Sequence, residues 1–323
     1  MERIAFFIPY FGRFNSYFPL WIKACSHQRQ IADFYIFTDI KYAKELPENV
    51  KLIHITFEAL RQKIQVLYDF KIDLSSYYKF CDLKPAYGEI FREYAEGYSH
   101  WAFGDNDLLW GDWQNMLPNN WSECDRLGEF GHLTIIKNTE RMRTLYKYRN
   151  AYKIAFSSTY NCFFDERAFN AICKHNQVEI VPLPIVDCDP RKRKIYLQDK
   201  TLDHKSGVFS YENGHLYQIY KDKSNFSKEE FLYIHFLKRK MDYKDENAET
   251  DTFVIYDHSI LAQPRFSLKE FEHYSQDKFY WSYWFKYLNP QTLFRSIAYR
   301  MNKERKAVMR SIDRAINSRP HTL

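Results

Sequence analysis

The sequence predicts an α/β protein, a mixed sheet flanked by helices, and three observations support this fold class. Short apolar runs alternate with segments of helical apolar spacing, as strands joined by helices do. Several of these runs end in polar residues, which is where strands reach the edge of a sheet. The composition, 45% hydrophobic and 27% charged over 323 residues, suits a globular chain with a sizeable core.

The first three strands are predicted at residues 4–11 (IAFFIPYF), 34–38 (FYIFT) and 50–57 (VKLIHITF). The first two runs end at Pro-Tyr and Thr-Asp. The segment WIKACSHQRQI between them has the apolar spacing of a helix. This β-α-β beginning predicts a sheet whose ligand lies at the carboxyl ends of the strands.

A helix and a fourth strand follow. Residues 83–98 (LKPAYGEIFREYAEGY) predict a helix with Pro85 in its first turn and apolar residues along one face. Residues 99–110 (SHWAFGDNDLLW) predict a strand that leads directly into Asp105 and Asp107.

The middle of the chain mixes strands and helices. GHLTIIKN (131–138) and EIVPLPIV (179–186) are predicted as strands, and TERMRTLYKYRNAY (139–152) as a helix. Residues 203–220 predict a hairpin closed by an Asn-Gly turn.

The C-terminal part is predicted as an extension, residues 246–323, of a catalytic domain that covers residues 1–245. An amphipathic helix is expected within residues 280–318, and its apolar stripe consists of Leu293, Ile297, Met301, Val308, Ile312 and Ile316. Residues 280–323 carry nine Lys/Arg and two Asp/Glu, a net charge of +7 that leaves −1 for the rest. Aromatic and basic residues together favour an anchor on an anionic membrane surface. The alternative is a helix packed on the domain with a solvated basic face.

Cysteine usage and the N-terminus predict a cytoplasmic protein. The six cysteines form no CxxC pair, so the sequence indicates neither a zinc site nor a disulfide framework. The first apolar run is too short to span a membrane and Pro9 interrupts it. Because the chain outside the tail is nearly neutral, we expect no nucleic-acid partner.

Asp105 and Asp107 alternate with Asn106 on an extended segment, so both carboxylates project to the same side. They offer the hard oxygen ligands that Mg²⁺ or Mn²⁺ binds together with a diphosphate. Downstream, FLYIHFLKRKM supplies His235 as a third ligand and Lys238 as a contact for the diphosphate. A solvated strand end, a core histidine and a solvated basic turn are the alternatives.

Six segments in order resemble a family of bacterial glycosyltransferases encoded in surface-polysaccharide gene clusters: FFIPYFG, YYKFCDLKPAYGEIF, FGDNDLLWGD, GHLTIIKN, FDE and YIHFLKRKM. The resemblance covers residues 1–245 and implies a GT-A-like, Rossmann-like fold. It also implies metal-dependent transfer of a hexose from a nucleotide sugar, expected to be a UDP-sugar. The acceptor it implies is a lipid-linked oligosaccharide of O-antigen or capsule biosynthesis, at the inner face of the plasma membrane.

The same resemblance assigns roles to particular positions. Mn²⁺ or Mg²⁺ would be held by Asp105, Asp107 and His235. The donor would contact Pro9, Tyr10, Thr38, Asp39, Asp82, Lys84, Asp105 and Lys238.

A transfer that inverts the sugar also needs a base for the acceptor hydroxyl, for which Asp165, Glu166 and His132 are candidates. Asp165 and Glu166 could instead be the acidic first turn of a helix. A nucleotidyltransferase acting on sugar phosphates, and a non-catalytic protein that binds glycans or nucleic acid, are the alternative functions.

Overall fold

The computed structural model describes residues 2–187, 196–197, 208–222, 225–236, 240–244, 251–256, 258–263, 267–274, 290, 298 and 301–318. Lys238, Leu293 and Ile297 lie outside the described residues. The strands before residue 200 are β1 (Ile4–Pro9), β2 (Ala32–Thr38), β3 (Val50–His54), β4 (His100–Gly104), β5 (Leu108–Trp110), β6 (Arg126–Phe130), β7 (Leu133–Lys137), β8 (Ile185–Asp187) and β9 (Tyr196–Leu197). Those after it are β10 (Val208–Glu212), β11 (His215–Asp222), β12 (Asn225–Phe231), β13 (Tyr233–His235), β14 (Asp242–Lys244), β15 (Thr252–Tyr256) and β16 (Ser259–Ala262).

The described helices are mostly short. They are α1 (Phe18–His27), α2 (Phe57–Gln65), α3 (Phe80–Leu83), α4 (Tyr87–Ile90), α5 (Arg92–Ala95), α6 (Trp113–Met116), α7 (Glu140–Thr144), α8 (Ala151–Phe156), α9 (Phe169–His175), α10 (Leu268–Tyr274) and α11 (Lys303–Asn317). A π-helical turn covers Phe164–Ala168, and 3₁₀ turns cover Tyr77–Lys79, Lys84–Ala86, Trp121–Glu123 and Leu145–Asn150. Among the described helices, none has both the length and the apolar composition that crossing a membrane requires.

The first sheet has the strand order β3-β2-β1-β4-β7-β6, with β3, β2, β1 and β4 parallel. β7 and β6 continue it antiparallel. Burial on both faces explains the continuous apolar runs of β1 and β2. Phe6 packs against Phe34 and Trp110 on one face, while Phe7 packs against Phe91 on the other. The predicted α/β class, a mixed sheet between helical layers, is therefore confirmed.

The chain order reverses between β1 and β4, the central neighbours of this sheet. β2 and β3 lie on one side of β1, and the chain then returns to place β4 on its other side. In parallel α/β sheets a crevice opens at the carboxyl ends of the strands at such a switch point. Here those ends are Pro9 and Gly104, so the residues that follow them face the same crevice.

The second sheet has the order β12-β11-β10-β15-β16-β14 and joins strands from both sides of residue 245. β10 pairs with β15, so the predicted boundary at 245–246 falls inside this sheet. The predicted hairpin is confirmed as β10 and β11, and Asn213 and Gly214 at its turn have φ of 51° and 93°. The third sheet, β5-β13-β8-β9, is short, and β8 begins only after Pro184 of the predicted strand 179–186.

Two predicted helices are interrupted. The helix expected over 83–98 breaks at Phe91, whose φ of −110° and ψ of 28° are not helical. The helix expected over 139–152 breaks at Tyr148 and Arg149, with ψ of 121° and φ of 51° respectively. Apolar spacing alone does not show these breaks, because the residues on either side keep their buried positions.

The third predicted strand, 50–57, is shorter than expected. It ends at His54, and α2 begins at Phe57 because the Thr56 side chain accepts a hydrogen bond from the Ala59 amide at 3.1 Å. A threonine in this position is a helix N-cap.

Candidate functional site

Asp105 and Asp107 lie in a turn between β4 and β5, which we call the DxD turn. The prediction of one extended strand over residues 99–110 is therefore wrong, because the chain leaves the first sheet at this turn and enters the third. Asp105 follows β4 directly, and Asp107 precedes β5. Both strands are buried, yet the side chain of Asp105 is 36% exposed and that of Asp107 is 18% exposed. The charged pair is therefore held by two buried strands and opens to the crevice at the switch point.

His235 reaches this turn through the pairing of β13 with β5. The register sets His235 opposite Leu108, and the Phe236 amide donates to the Asp107 carbonyl at 2.9 Å. The imidazole Nε2 of His235 lies 3.5 Å from Asp107 Oδ1. Ligand atoms of Asp105, Asp107 and His235 all lie within 4.8 Å of one another. The three predicted metal ligands are thus brought together across 130 positions of sequence.

The donor set fits a divalent cation. Two carboxylates and one imidazole are ligands that Mg²⁺, Mn²⁺ and related ions accept, and the exposure of Asp105 leaves room for further oxygen ligands from a phosphate or water. Such a cation also relieves the repulsion between two carboxylates held this close together.

Lys84 lies inside the same cluster. Its ammonium nitrogen is 2.6 Å from Asp105 Oδ1, donates to the Gly131 carbonyl at 2.7 Å, and is 3.7 Å from Asp165 Oδ2. Burial opposes its charge, but Asp105, Cys81 and Asp165 outweigh burial and raise the pKa of Lys84 well above its usual value. Because a carboxylate has two oxygens, Asp105 can contact Lys84 and a metal ion together. Lys84, one of the predicted contacts of the donor, is therefore a fixed positive charge beside the predicted metal ligands.

His132 supports His235. The β4–β7 pairing brings His132 beside the DxD turn, where its carbonyl accepts from the Asp105 amide at 3.2 Å. Its ring lies between Phe130 and His235, with centroid distances of 5.1 and 4.4 Å. Its Nδ1 forms a 2.8 Å hydrogen bond with the Tyr233 hydroxyl. His132, predicted as a candidate base, is therefore buried and fixed on both faces by neighbouring rings.

Asp165 and Glu166 lie on the π-helical turn Phe164–Ala168 and face Gly131. The Glu166 carboxylate accepts from the Gly131 amide at 2.9 Å. A Cβ atom on Gly131 would lie 2.2 Å from Asp165 Oδ2, so only glycine permits this approach. Burial raises the pKa of Asp165 to about 8, against the lowering effect of Lys84. Asp165 is therefore a largely protonated carboxyl group next to the DxD cluster at neutral pH.

Asp82 holds the segment that leads into this turn. It is fully buried, forms a 2.7 Å ion pair with Lys79, and accepts from the amides of Cys162 at 2.9 Å and Phe164 at 3.0 Å. Lys79 also donates to the Tyr160 carbonyl at 2.6 Å. With no exposed surface, Asp82 has a supporting position and not the open one that the predicted nucleoside contact requires.

The remaining donor-binding candidates lie at the carboxyl ends of β1 and β2. Tyr10 stacks on Phe14, with centroids 5.6 Å apart, and its hydroxyl donates to the Arg13 carbonyl at 2.6 Å. Thr38 is buried and accepts from the Ile40 amide at 3.1 Å, while Asp39 is exposed. Pro9 ends β1. Parallel strands place these residues on the edge that carries Asp105, and their contact with a nucleoside stays a prediction. Lys238 lies outside the described residues.

Tyr233 is the supporting residue that the sequence patterns did not single out. It lies two positions before His235 on β13, so both side chains project from one face of the strand. The alternation of side chains along a strand could have identified Tyr233 from the sequence. It places the Tyr233 hydroxyl and the His235 ring against the same partner, His132.

A second group of possible metal ligands lies elsewhere. His215 Nδ1 is 2.7 Å from Glu230 Oε1 and 3.7 Å from Asp112 Oδ2. Asp112 also caps α6 by accepting from the Asn115 amide. Asp112 therefore belongs to this second group and not to the group of Asp105, Asp107 and His235.

Comparison with known proteins gives a family and no activity. A protein family described as a family of unknown function (DUF6625) matches residues 6–264. No curated protein matches the chain.

Proposed function

The chain belongs to the DUF6625 family of unknown function, and we propose that it is a metal-dependent glycosyltransferase with a GT-A-like catalytic domain. It transfers a hexose from a nucleotide sugar, a UDP-sugar, to a lipid-linked oligosaccharide of bacterial O-antigen or capsule biosynthesis. The observation that carries the proposal is the convergence of Asp105, Asp107 and His235 at the switch point of the parallel sheet.

The sheet order supports binding of a nucleotide. Strands in the order β3-β2-β1-β4 form the parallel arrangement that binds nucleotides across the carboxyl ends of its central strands. A nucleoside over β1 and β2 meets Tyr10 and Asp39, and its diphosphate extends toward Asp105. This is the geometry on which the GT-A-like assignment rests.

Different residues of the site would support different parts of the transfer reaction. A divalent cation bound by the two carboxylates and His235 would neutralise charge on the leaving nucleoside diphosphate. Lys84, held in place by Asp105 and Gly131, adds a fixed positive charge to the same region. His132 and Tyr233 keep the His235 ring in one orientation.

Asp165 is the side chain that we assign as proton acceptor from the acceptor hydroxyl. A base acts best when its pKa lies near the working pH, and burial raises the pKa of Asp165 to about 8. Glu166 is bound to the Gly131 amide, and Asp82 secures the segment before the turn, so both hold Asp165 in position.

Metal-dependent nucleotide binding tests the proposal. We expect UDP with Mn²⁺ to raise the melting temperature of the full chain more than GDP, CDP or TDP do, and we expect calorimetry to give the same order. Asp107→Asn and His235→Ala should each remove the effect, because each deletes a ligand of the cation. His215→Ala is the matched control, a histidine that faces carboxylates in the second cluster, and it should bind UDP normally.

Two results with nucleotides would contradict the assignment. One is metal-dependent binding that survives both Asp107→Asn and His235→Ala. The other is release of pyrophosphate from a nucleoside triphosphate and a sugar phosphate, which is the reaction of a nucleotidyltransferase. If the chain bound glycans but no nucleotide, that result would exclude both the glycosyltransferase and the nucleotidyltransferase.

A further inference from the structure

One face of α11 is occupied by the catalytic domain. Ile312 and Ile316 are buried, and the helix packs on α8 and on the turns at Leu145–Asn150 and Phe164–Ala168. Arg149 donates to the Ile316 carbonyl at 2.9 Å and secures the end of the helix. The apolar face of this amphipathic helix therefore covers the protein and is not available for insertion into a bilayer.

The opposite face carries a row of cations. The row consists of Lys303, Lys306, Arg310 and Arg314, all of them exposed. At about 100° per residue, these positions fall within a sector of roughly 80°, nearly opposite Ile312. From first to last the row is about 17 Å long. We call these four residues the basic row.

Among the residues that the structure describes, none forms an ion pair that neutralises the charge of the basic row. The acidic residues of the helix are engaged elsewhere: Asp313 pairs with Arg167, and Glu304 accepts from the Tyr160 hydroxyl at 2.5 Å. No ion pair joins any member of the basic row to another residue that the structure describes. The row therefore presents four positive charges on one straight helix face.

We propose that the basic row binds the anionic headgroups of a lipid bilayer while the apolar face of α11 stays packed on the domain. A straight row on a convex helix touches a flat charged surface along its whole length, and Lys and Arg near such a surface bind it electrostatically. A nucleic acid is a weaker match, because the chain outside residues 280–323 has a net charge of only −1. This contact goes beyond the proposed chemistry and does not require it.

Vesicle co-sedimentation of the full chain tests the proposal. Wild type should sediment with phosphatidylglycerol vesicles and not with phosphatidylcholine vesicles. Replacing all four members of the basic row by Gln should lower the partition coefficient by about 100-fold or more, because each cation contributes roughly five-fold. Binding should also disappear in about 1 M NaCl, where charges are screened beyond roughly 3 Å.

The matched control removes the same charges elsewhere. Arg29→Gln, Lys71→Gln, Arg92→Gln and Lys174→Gln together delete two Arg and two Lys from exposed positions outside α11, and this variant should bind vesicles about as wild type does. Thermal unfolding of both quadruple variants tests whether the fold persists, and because it needs no nucleotide, the outcome is independent of the proposed function. The proposal would be overturned if both quadruple variants lost vesicle binding equally, or if neither lost it. It would also be overturned if vesicle binding survived high salt, or if the chain bound RNA but not vesicles.

Discussion

His132 stacks on His235 with ring centroids 4.4 Å apart and ring planes 24° from parallel. The Tyr233 hydroxyl holds the His132 ring through its Nδ1, and Phe130 covers the opposite face. Burial, His235 and Lys84 lower the pKa of His132 well below its usual value, so His132 stays neutral beside the predicted metal ligand. The orientation of His235 is therefore set by a packed, uncharged neighbour.

Replacing His132 by Ala should weaken Mn²⁺ binding in the presence of UDP by about 10-fold, because groups that orient a metal ligand typically contribute that much or more. Titration calorimetry of the full chain measures the change. His132→Phe keeps a flat ring between Phe130 and His235, so it should retain most of the affinity. An alanine variant that binds Mn²⁺ as tightly as wild type would exclude the orienting role.

Asp165 should reduce stability at neutral and alkaline pH. Its pKa is raised from 3.8 to about 8 on folding, so between these values the unfolded chain is ionised while the folded chain holds the proton. The folded state then binds more protons, and its stability falls as pH rises through this window. Asp165→Asn should match wild type near pH 4 and be more stable by on the order of 5 kcal/mol at pH 8. Urea unfolding of both proteins across this pH range measures the difference in their free energies of unfolding. A difference that stays constant with pH would contradict the raised pKa.

The same carboxyl group gives a prediction for activity. If Asp165 accepts the proton of the acceptor hydroxyl, kcat/KM rises with pH up to about 8 in wild type, because the group must be ionised to act. Asp165→Asn should lower the transfer rate by at least about 100-fold while UDP and Mn²⁺ still bind. Glu166→Gln should have a smaller effect, since its amide oxygen still accepts from Gly131. If Glu166→Gln lowered the transfer rate more than Asp165→Asn does, Glu166 and not Asp165 would be the base.

Much of the site could be predicted from local sequence pattern. Alternation along β13 places Tyr233 and His235 on one side. The same rule predicted a common side for Asp105 and Asp107, but these two residues lie in a turn between two strands. The pairing of β5 with β13 could not be predicted, because strand partners far apart in sequence are chosen by packing of the whole sheet. His235 was therefore predicted as a third ligand from its residue type and from the resemblance, and not from a known pairing of strands.

The sequence of the C-terminal helix does not show which surface its apolar stripe contacts. Ile312 and Ile316 form the same apolar stripe whether the helix enters a bilayer interface or packs on a protein core, so the pattern leaves both possibilities open. The structure shows the second for residues 303–317. Within residues 303–317, a membrane anchor would therefore use the basic row and not the buried part of the apolar stripe.

Gly131 should be intolerant of a side chain because of Asp165. A Cβ atom at this position would lie 2.2 Å from Asp165 Oδ2 and 3.2 Å from Glu166 Oε1. Gly131→Ala should therefore destabilise the chain by about 1–3 kcal/mol, the usual cost of overpacking. In an Asp165→Ala background the same change should cost clearly less, because the clashing oxygen is gone, and a double-mutant cycle measures this coupling. If the effects of the two substitutions on stability simply add, Gly131 and Asp165 are not in contact.

Ile312 should contribute more to stability than any exposed residue of the predicted apolar stripe. Its side chain is 2% exposed and packs into the cluster that contains Phe156 and Phe164, next to the turn that carries Asp165. Ile312→Ala should lower the free energy of unfolding by about 2–4 kcal/mol, the range for truncating a buried aliphatic residue. Met301 belongs to the same predicted stripe but is 65% exposed, so Met301→Ala should change stability by less than about 0.5 kcal/mol. Urea unfolding of the two variants gives the comparison, and similar small effects from both would mean that α11 does not dock on the domain in solution.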